Sequence, residues 1–222
     1  MSQKVIRNKN TKKSKKSNSS SKLSLLIAQP NKKIKPRKNQ NQNCYCFSDH
    51  PEFTPNLSPL EVLQQGAFGG TYFRPIKSGI TNQNYHSRHE RYFTPQQLKK
   101  CKISIETMLT RPYEQYDKSV NKYKTRCGQT LEEWENKDWI THHDPYGWFE
   151  WYCNFFQGRR IPEEDARQIK RWLSFCGPKG RFSQRLKNMV RQQKKKPEDP
   201  IVSPRIRQTL LHWGYELTPH NF

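Results

Sequence analysis

The residues with the most capacity for chemistry are basic, and they lie close together. Between Arg159 and Lys196 the chain carries thirteen Lys and Arg against three acids: Arg159, Arg160, Arg167, Lys170, Arg171, Lys179, Arg181, Arg185, Lys187, Arg191, Lys194, Lys195 and Lys196. Positive charge at this density attracts a polyanion, because neutralising phosphates releases their condensed counterions. Arg185 and Asn188 are the residue types that hydrogen-bond guanine and adenine edges in a major groove. Arg181, Lys187, Arg191 and the Lys194, Lys195, Lys196 run suit phosphates, which position a protein without reading sequence. Asn188 and all of these cations except Arg167 are candidate nucleic-acid-binding residues. The competing reading is a protein-docking or merely solvated helix face, since amphipathic helices often carry Lys and Arg outward.

Other chemistry finds less support. Cys44-x-Cys46 followed by His50 has an unusual gap, and no second pair completes a zinc site. His86-x-x-His89 lacks an acid or thiol companion, so both stretches read as surface loops. The run from Gly66 to Pro75 alternates glycine with aromatics but holds neither phosphate-cradling glycine pattern. It reads as a tight loop that turns its aromatics inward. Asp144-Pro145 reads as a helix cap, and no Ser-His-Asp or Cys-His signature appears. The sequence thus points to no catalytic residue, metal, cofactor or small-molecule substrate.

The elements that would position the basic residues are helices. Ser58-Pro59-Leu60-Glu61 is an N-cap followed by a first-turn proline and an acid. Thr94-Pro95 opens a short helix ending near Cys101, and Thr130 with Glu133 forms a capping box. Tyr146 to Phe156 is aromatic on nearly every face, which predicts the central core helix. Pro162 starts a helix with an acidic first turn and a stripe at Ala166, Ile169, Trp172, Leu173 and Cys176. Gly177-Pro178 stops it. The next helix sets Phe182, Leu186, Met189 and Val190 on one side and Arg181, Gln184, Arg185, Lys187, Asn188 and Arg191 on the other. Ser203-Pro204 caps a last helix running to Trp213 and Gly214. Two helices joined by so short a turn predict a helix-turn-helix-like unit at about 160–196.

Composition frames the whole. Lys and Arg total 41 against 19 Asp and Glu over 222 residues, a net charge of +22. Nucleic acid is the commonest partner for such an excess, with anionic membranes and acidic proteins as rivals. No run reaches the roughly 18 apolar residues of a membrane span, and residues 23–28 are too short for a secretory core. An intracellular place and reduced, mostly buried cysteines are therefore expected. Residues 1–43 hold thirteen Lys and Arg and no acid, amid Ser, Asn and Gln. That composition predicts a disordered basic tail over 1–50, serving nuclear import, nonspecific DNA contact or only solubility. A mostly α, compact multi-helix domain is expected over 51–222.

Several phrases carry a resemblance. Gly66-Ala67-Phe68-Gly69-Gly70-Thr71-Tyr72-Phe73-Arg74-Pro75-Ile76, Asp138-Trp139-Ile140, Asp144 through Cys153, Gly158-Arg159-Arg160, Arg167 through Trp172 and Gly177 through Phe182 resemble a family of fungal, algal and ciliate proteins. The closing Ser203-Pro204 to Leu217 fits it as well. Within that family the chain is similar to the small homeobox-like accessory subunits of the ciliate MT-A70-type DNA N6-adenine methyltransferase complex. The resemblance implies a non-catalytic subunit in the nucleus that binds double-stranded DNA beside two methyltransferase-fold subunits. The homeobox likeness rests on residues 167–191, which lack the usual Trp-Phe-x-Asn-Arg, so no base-reading residue carries over. Asp144-Pro145-Tyr146-Gly147-Trp148 echoes the methyltransferase Asp-Pro-Pro-Trp but lacks its second proline and the strand before it. An alternative is a protein-interaction scaffold, or a general chromatin- or RNA-binding protein whose basic tail binds nonspecifically.

Overall fold

A computed structural model describes residues 34–222. Most of the basic tail, including the Lys12–Lys16 cluster, lies outside them. What is described of the expected tail is ordered. β1 (Arg37–Asn39) pairs antiparallel with β2 (Cys44–Cys46), Arg37 opposite Cys46. Tyr45 donates its backbone N–H to Pro55, and Phe47 is buried against Phe53 and Phe155. The expected boundary at residue 51 therefore falls too late. The average composition of 1–50 hides Cys-Tyr-Cys-Phe at its end, and those side chains have a core to join.

Helix starts are fixed locally. Ser58 accepts the Glu61 N–H at 3.3 Å while the Glu61 carboxylate takes the Ser58 N–H at 2.7 Å, opening α1 (Pro59–Gln65). Reciprocal pairs at Thr94 and Gln97 open α2 (Pro95–Lys100). β3 (Ile76–Lys77) and β4 (Asn84–Tyr85) form a second small hairpin, and α3 (Ile105–Met108) is a single turn. Thr130 and Glu133 cap α4 (Leu131–Glu135) in the same reciprocal way. Each such cap contributes about 1 kcal/mol, enough to set where a short helix begins.

α5 (Trp148–Phe156) is the centre of the molecule, with Trp148, Phe149, Trp151, Tyr152, Cys153 and Phe155 buried. Phe53 sits among Trp148, Trp151, Tyr152, Phe155 and Trp172 at centroid distances of 5.1–6.2 Å, mostly edge to face. That arrangement sets positive ring edges on negative ring faces. Asp144 is not the cap of this helix, contrary to expectation. Gly147 precedes it without a side-chain cap, and Asp144 is buried with its carboxylate turned to Arg159.

α6 (Pro162–Phe175) packs beside α5 and buries Ile169 and Trp172. Its stripe differs from expectation in its first turns, because Ala166 is exposed while Glu164, Asp165 and Gln168 are buried. The Asp165 carboxylate accepts the Trp151 indole N–H at 2.8 Å and the Ile161 N–H at 2.7 Å. It thus satisfies a core donor and a helix-start donor together. A turn through Gly177 and Gly180 leads to α7 (Arg181–Gln192). A Cβ on Gly180 would lie 2.6 Å from the Phe175 carbonyl, so only glycine allows this approach. α7 buries Ser183, Leu186 and Val190, and Phe182 and Met189 pack at the core edge.

The final helix, α8 (Pro204–His212), buries Arg207, Gln208, Leu210, Leu211 and His212. Ser203 does not cap it as expected. Its backbone is left-handed at φ 50° with no side-chain cap, and the Arg207 guanidinium ties back to the Val202 carbonyl at 2.9 Å. The chain is therefore mostly helical, with eight α-helices among the described residues. No described helix is long and apolar enough to cross a membrane. All six cysteines are free, and Cys44, Cys127, Cys153 and Cys176 are buried.

Candidate nucleic-acid interface

The basic residues singled out in the sequence divide into three environments. Arg159 and Arg160 belong to the scaffold, which removes them from the expected interface. Arg159 is 5% exposed and donates to Asp144 Oδ1 at 2.8 Å, with its other terminal nitrogen on Oδ2. Burial alone would lower its pKa, but Asp144 reverses the direction and holds the guanidinium charged. Arg160 donates to Asp49 at 2.6 Å and lies 3.6 Å from the centre of the Phe155 ring. Arg159 ties the two ends of α5 together, and Arg160 closes the helix onto the N-terminal segment.

A second group faces solvent. Lys170, Lys179, Asn188, Arg191, Lys194, Lys195 and Lys196 are exposed, and Lys187 is half-buried with its pKa lowered by burial and then by Arg191. Arg191 lies 4.8 Å from the Phe222 ring and donates to Asn188 Oδ1 at 3.4 Å, so the two side chains act together on the outer face of α7. Lys195 stands 4.0 Å from Asp199.

The third group lines a groove of about 720 Å³ formed by the ends of α6 and α7, by α8 and by residues 113–140. Arg171, Arg181 and Arg185 reach it, and Arg74, Arg126 and Arg205 join them. No Asp or Glu lines it, and among the described residues none of these six arginines pairs with a carboxylate. Aromatic rings hold four of them instead. Arg126 lies 4.7 Å from Tyr116 and 5.6 Å from Tyr113, and Arg74 approaches Tyr113 from 5.1 Å. Arg171 is 5.3 Å from both Trp139 and Trp213, while Arg181 covers Phe175 at 4.3 Å. Phe182, Phe175, Trp213 and Trp148 form a stacked ladder, with successive centroids 5.2, 4.7 and 4.3 Å apart. The position of Arg171 is electrostatically costly: burial, then the neighbouring Arg167, pushes its pKa down to about 10. Burial also lowers that of Arg74.

The inner wall of the groove holds Cys127 with its sulfur 3.5 Å from His212 Nδ1. The pair is not arranged as nucleophile and base. The Phe68 backbone N–H must donate to His212 Nε2, 3.0 Å away, which leaves the ring proton on Nδ1 facing sulfur. Burial pushes the thiol up to about 11 and the imidazole down to about 3, so both stay neutral. Phe68 stacks on the same imidazole at 4.1 Å, one of the aromatics that the glycine loop turns inward as its sequence predicts.

The metal candidates find no cluster among the described residues. The Cys44 and Cys46 sulfurs face each other at 3.8 Å, and His50 turns to Glu52. His89 is not on a surface loop as expected; it is buried on a short 3-10 turn beside Ser87, and burial lowers its pKa.

Arg74, Arg126, Arg205, Trp134 and Trp139 are missing from the sequence reading of the site. Trp134 lies in α4 and Arg205 in α8, while Arg74, Arg126 and Trp139 come from segments without helical period, and the five meet only in three dimensions. No protein-family model, curated protein or solved structure matches the chain.

Proposed function

We propose that the chain is a non-catalytic, DNA-binding accessory subunit of a nuclear DNA adenine N6-methyltransferase complex. The observation that carries DNA binding is the α6–turn–α7 unit. α7 presents Arg181, Arg185, Asn188 and Arg191 along one side, and Lys194, Lys195 and Lys196 continue beyond its end, all exposed. At about 1.5 Å per residue α7 is long enough to lie along a major groove, with Arg181 and Arg185 in the N-terminal half that contacts base edges in helix-turn-helix proteins. The partnership with methyltransferase-fold subunits rests on the resemblance of residues 66–76, 138–160 and 167–182. The buried, neutral Cys127–His212 pair is consistent with a chain that leaves the chemistry to its partners.

Anisotropy titration of a labelled duplex tests this reading. Replacing Arg181, Arg185 and Arg191 together with alanine should weaken binding by at least about tenfold at physiological salt, without unfolding the domain. The same variant should lower adenine methylation by the assembled complex, while the isolated chain transfers no methyl group. Unchanged duplex affinity would overturn the assignment.

A further inference from the structure

We propose that the arginine- and aromatic-lined groove receives unpaired nucleotides of a DNA strand. This rests on the DNA-binding reading above and adds a second, single-stranded mode to it. Six arginines with no acid on the walls fit a polyanion, and an arginine kept half-buried without a carboxylate is stabilised when phosphate supplies the missing charge. A bare anion site would not need the rings. Here Trp134 is partly exposed in the groove, and among the described residues no ring or cation stacks on it. Trp139, also partly exposed, is one helical turn and a bend away. Stacking surfaces interleaved with arginine are how proteins hold single strands without reading sequence. The volume of about 720 Å³ lies within the range of sites that take small organic ligands. An acidic peptide would meet the arginines but leave the indole faces wet, which favours the nucleotide.

Arg181 and Arg185 border both the groove and the duplex face, so the exposed pair Arg126 and Arg205, which lies outside α7, is what separates the two sites. In anisotropy titrations of the full chain, R126Q with R205Q should weaken a labelled oligo-dT by at least about fivefold and a duplex by less than about twofold. Replacing Lys194, Lys195 and Lys196 with glutamine should do the reverse. Oligo-dT should quench tryptophan fluorescence, and Trp134→Leu should remove part of that quench while keeping the melting temperature. Equal oligo-dT affinity for R126Q/R205Q and the parent would overturn the proposal, as would a polyglutamate peptide that competes as well as oligo-dT. A parent chain that binds duplex but not oligo-dT would end this proposal and leave the accessory-subunit reading standing. One that binds oligo-dT but not duplex would do the opposite.

Discussion

Arg159 and Arg171 are both arginines withdrawn from solvent, yet they serve different ends. Arg159 faces Asp144, and their paired charges bind the start of α5 to the chain beyond its end. Arg171 meets the Trp139 carbonyl, the Gln168 amide oxygen and two indole rings, but no carboxylate. The difference shows in protonation: Asp144 raises the Arg159 pKa against burial, whereas Glu164 offsets only part of the burial of Arg171. The sequence presents the two alike, as members of one basic stretch. Where a carboxylate stands decides which arginine is structural and which remains available to a ligand.

Removing one partner of the buried pair should have the largest effect. Arg159→Ala leaves the buried Asp144 carboxylate without its partner and should cost about 3–5 kcal/mol in chemical denaturation. A loss below about 1 kcal/mol would mean the pair is not structural.

The buried His212 should come next. Its folded pKa, near 3, lies below the unfolded value, so only the unfolded chain takes up a proton as pH falls through about 6.5. His212 alone should therefore remove about 2 kcal/mol of stability between pH 7 and pH 5. Glu150 acts in the opposite sense. Burial first, then Asp144, raises its pKa to about 7, so its contribution grows as pH falls toward the unfolded value. Comparing the parent with His212→Gln isolates the histidine; an equally steep pH profile in the variant would contradict the assignment.

Arg171→Met sharpens the comparison from the other side. Because no carboxylate is left unpaired, stability should change by less than about 1.5 kcal/mol, while oligo-dT binding weakens. A loss as large as that of Arg159→Ala would show Arg171 to be structural too. Smallest of all, glutamine at Lys194, Lys195 and Lys196 should leave stability within about 0.5 kcal/mol. It should nevertheless flatten the salt dependence of duplex binding, by about 0.9 in log–log slope for each phosphate no longer neutralised.

Periodic and capped segments were legible in the sequence. The helix starts at Ser58 and Thr94, the capping box at Thr130, the aromatic α5 and the α6–α7 pair follow from spacing and local hydrogen bonding. Two of the errors share a cause, since the residues are used by something distant in the chain. Asp144 reads as a cap until Arg159 reaches it, and Cys44 to Phe47 read as tail until the core accepts Phe47. The groove was least legible. Its rings and arginines come from the end of α6, the start of α7, α8 and the irregular run of residues 113–140, where no period marks a shared face.

The most direct test of the central claim is duplex binding by residues 34–222 across a series of salt concentrations, with the N-terminal hairpin kept because Phe47 belongs to the core. Retained binding with a steep negative dependence on salt is expected, with a further loss when Arg181, Arg185 and Arg191 are replaced. Binding that disappears with residues 1–33 would contradict that claim, leaving only nonspecific attraction to the basic segment.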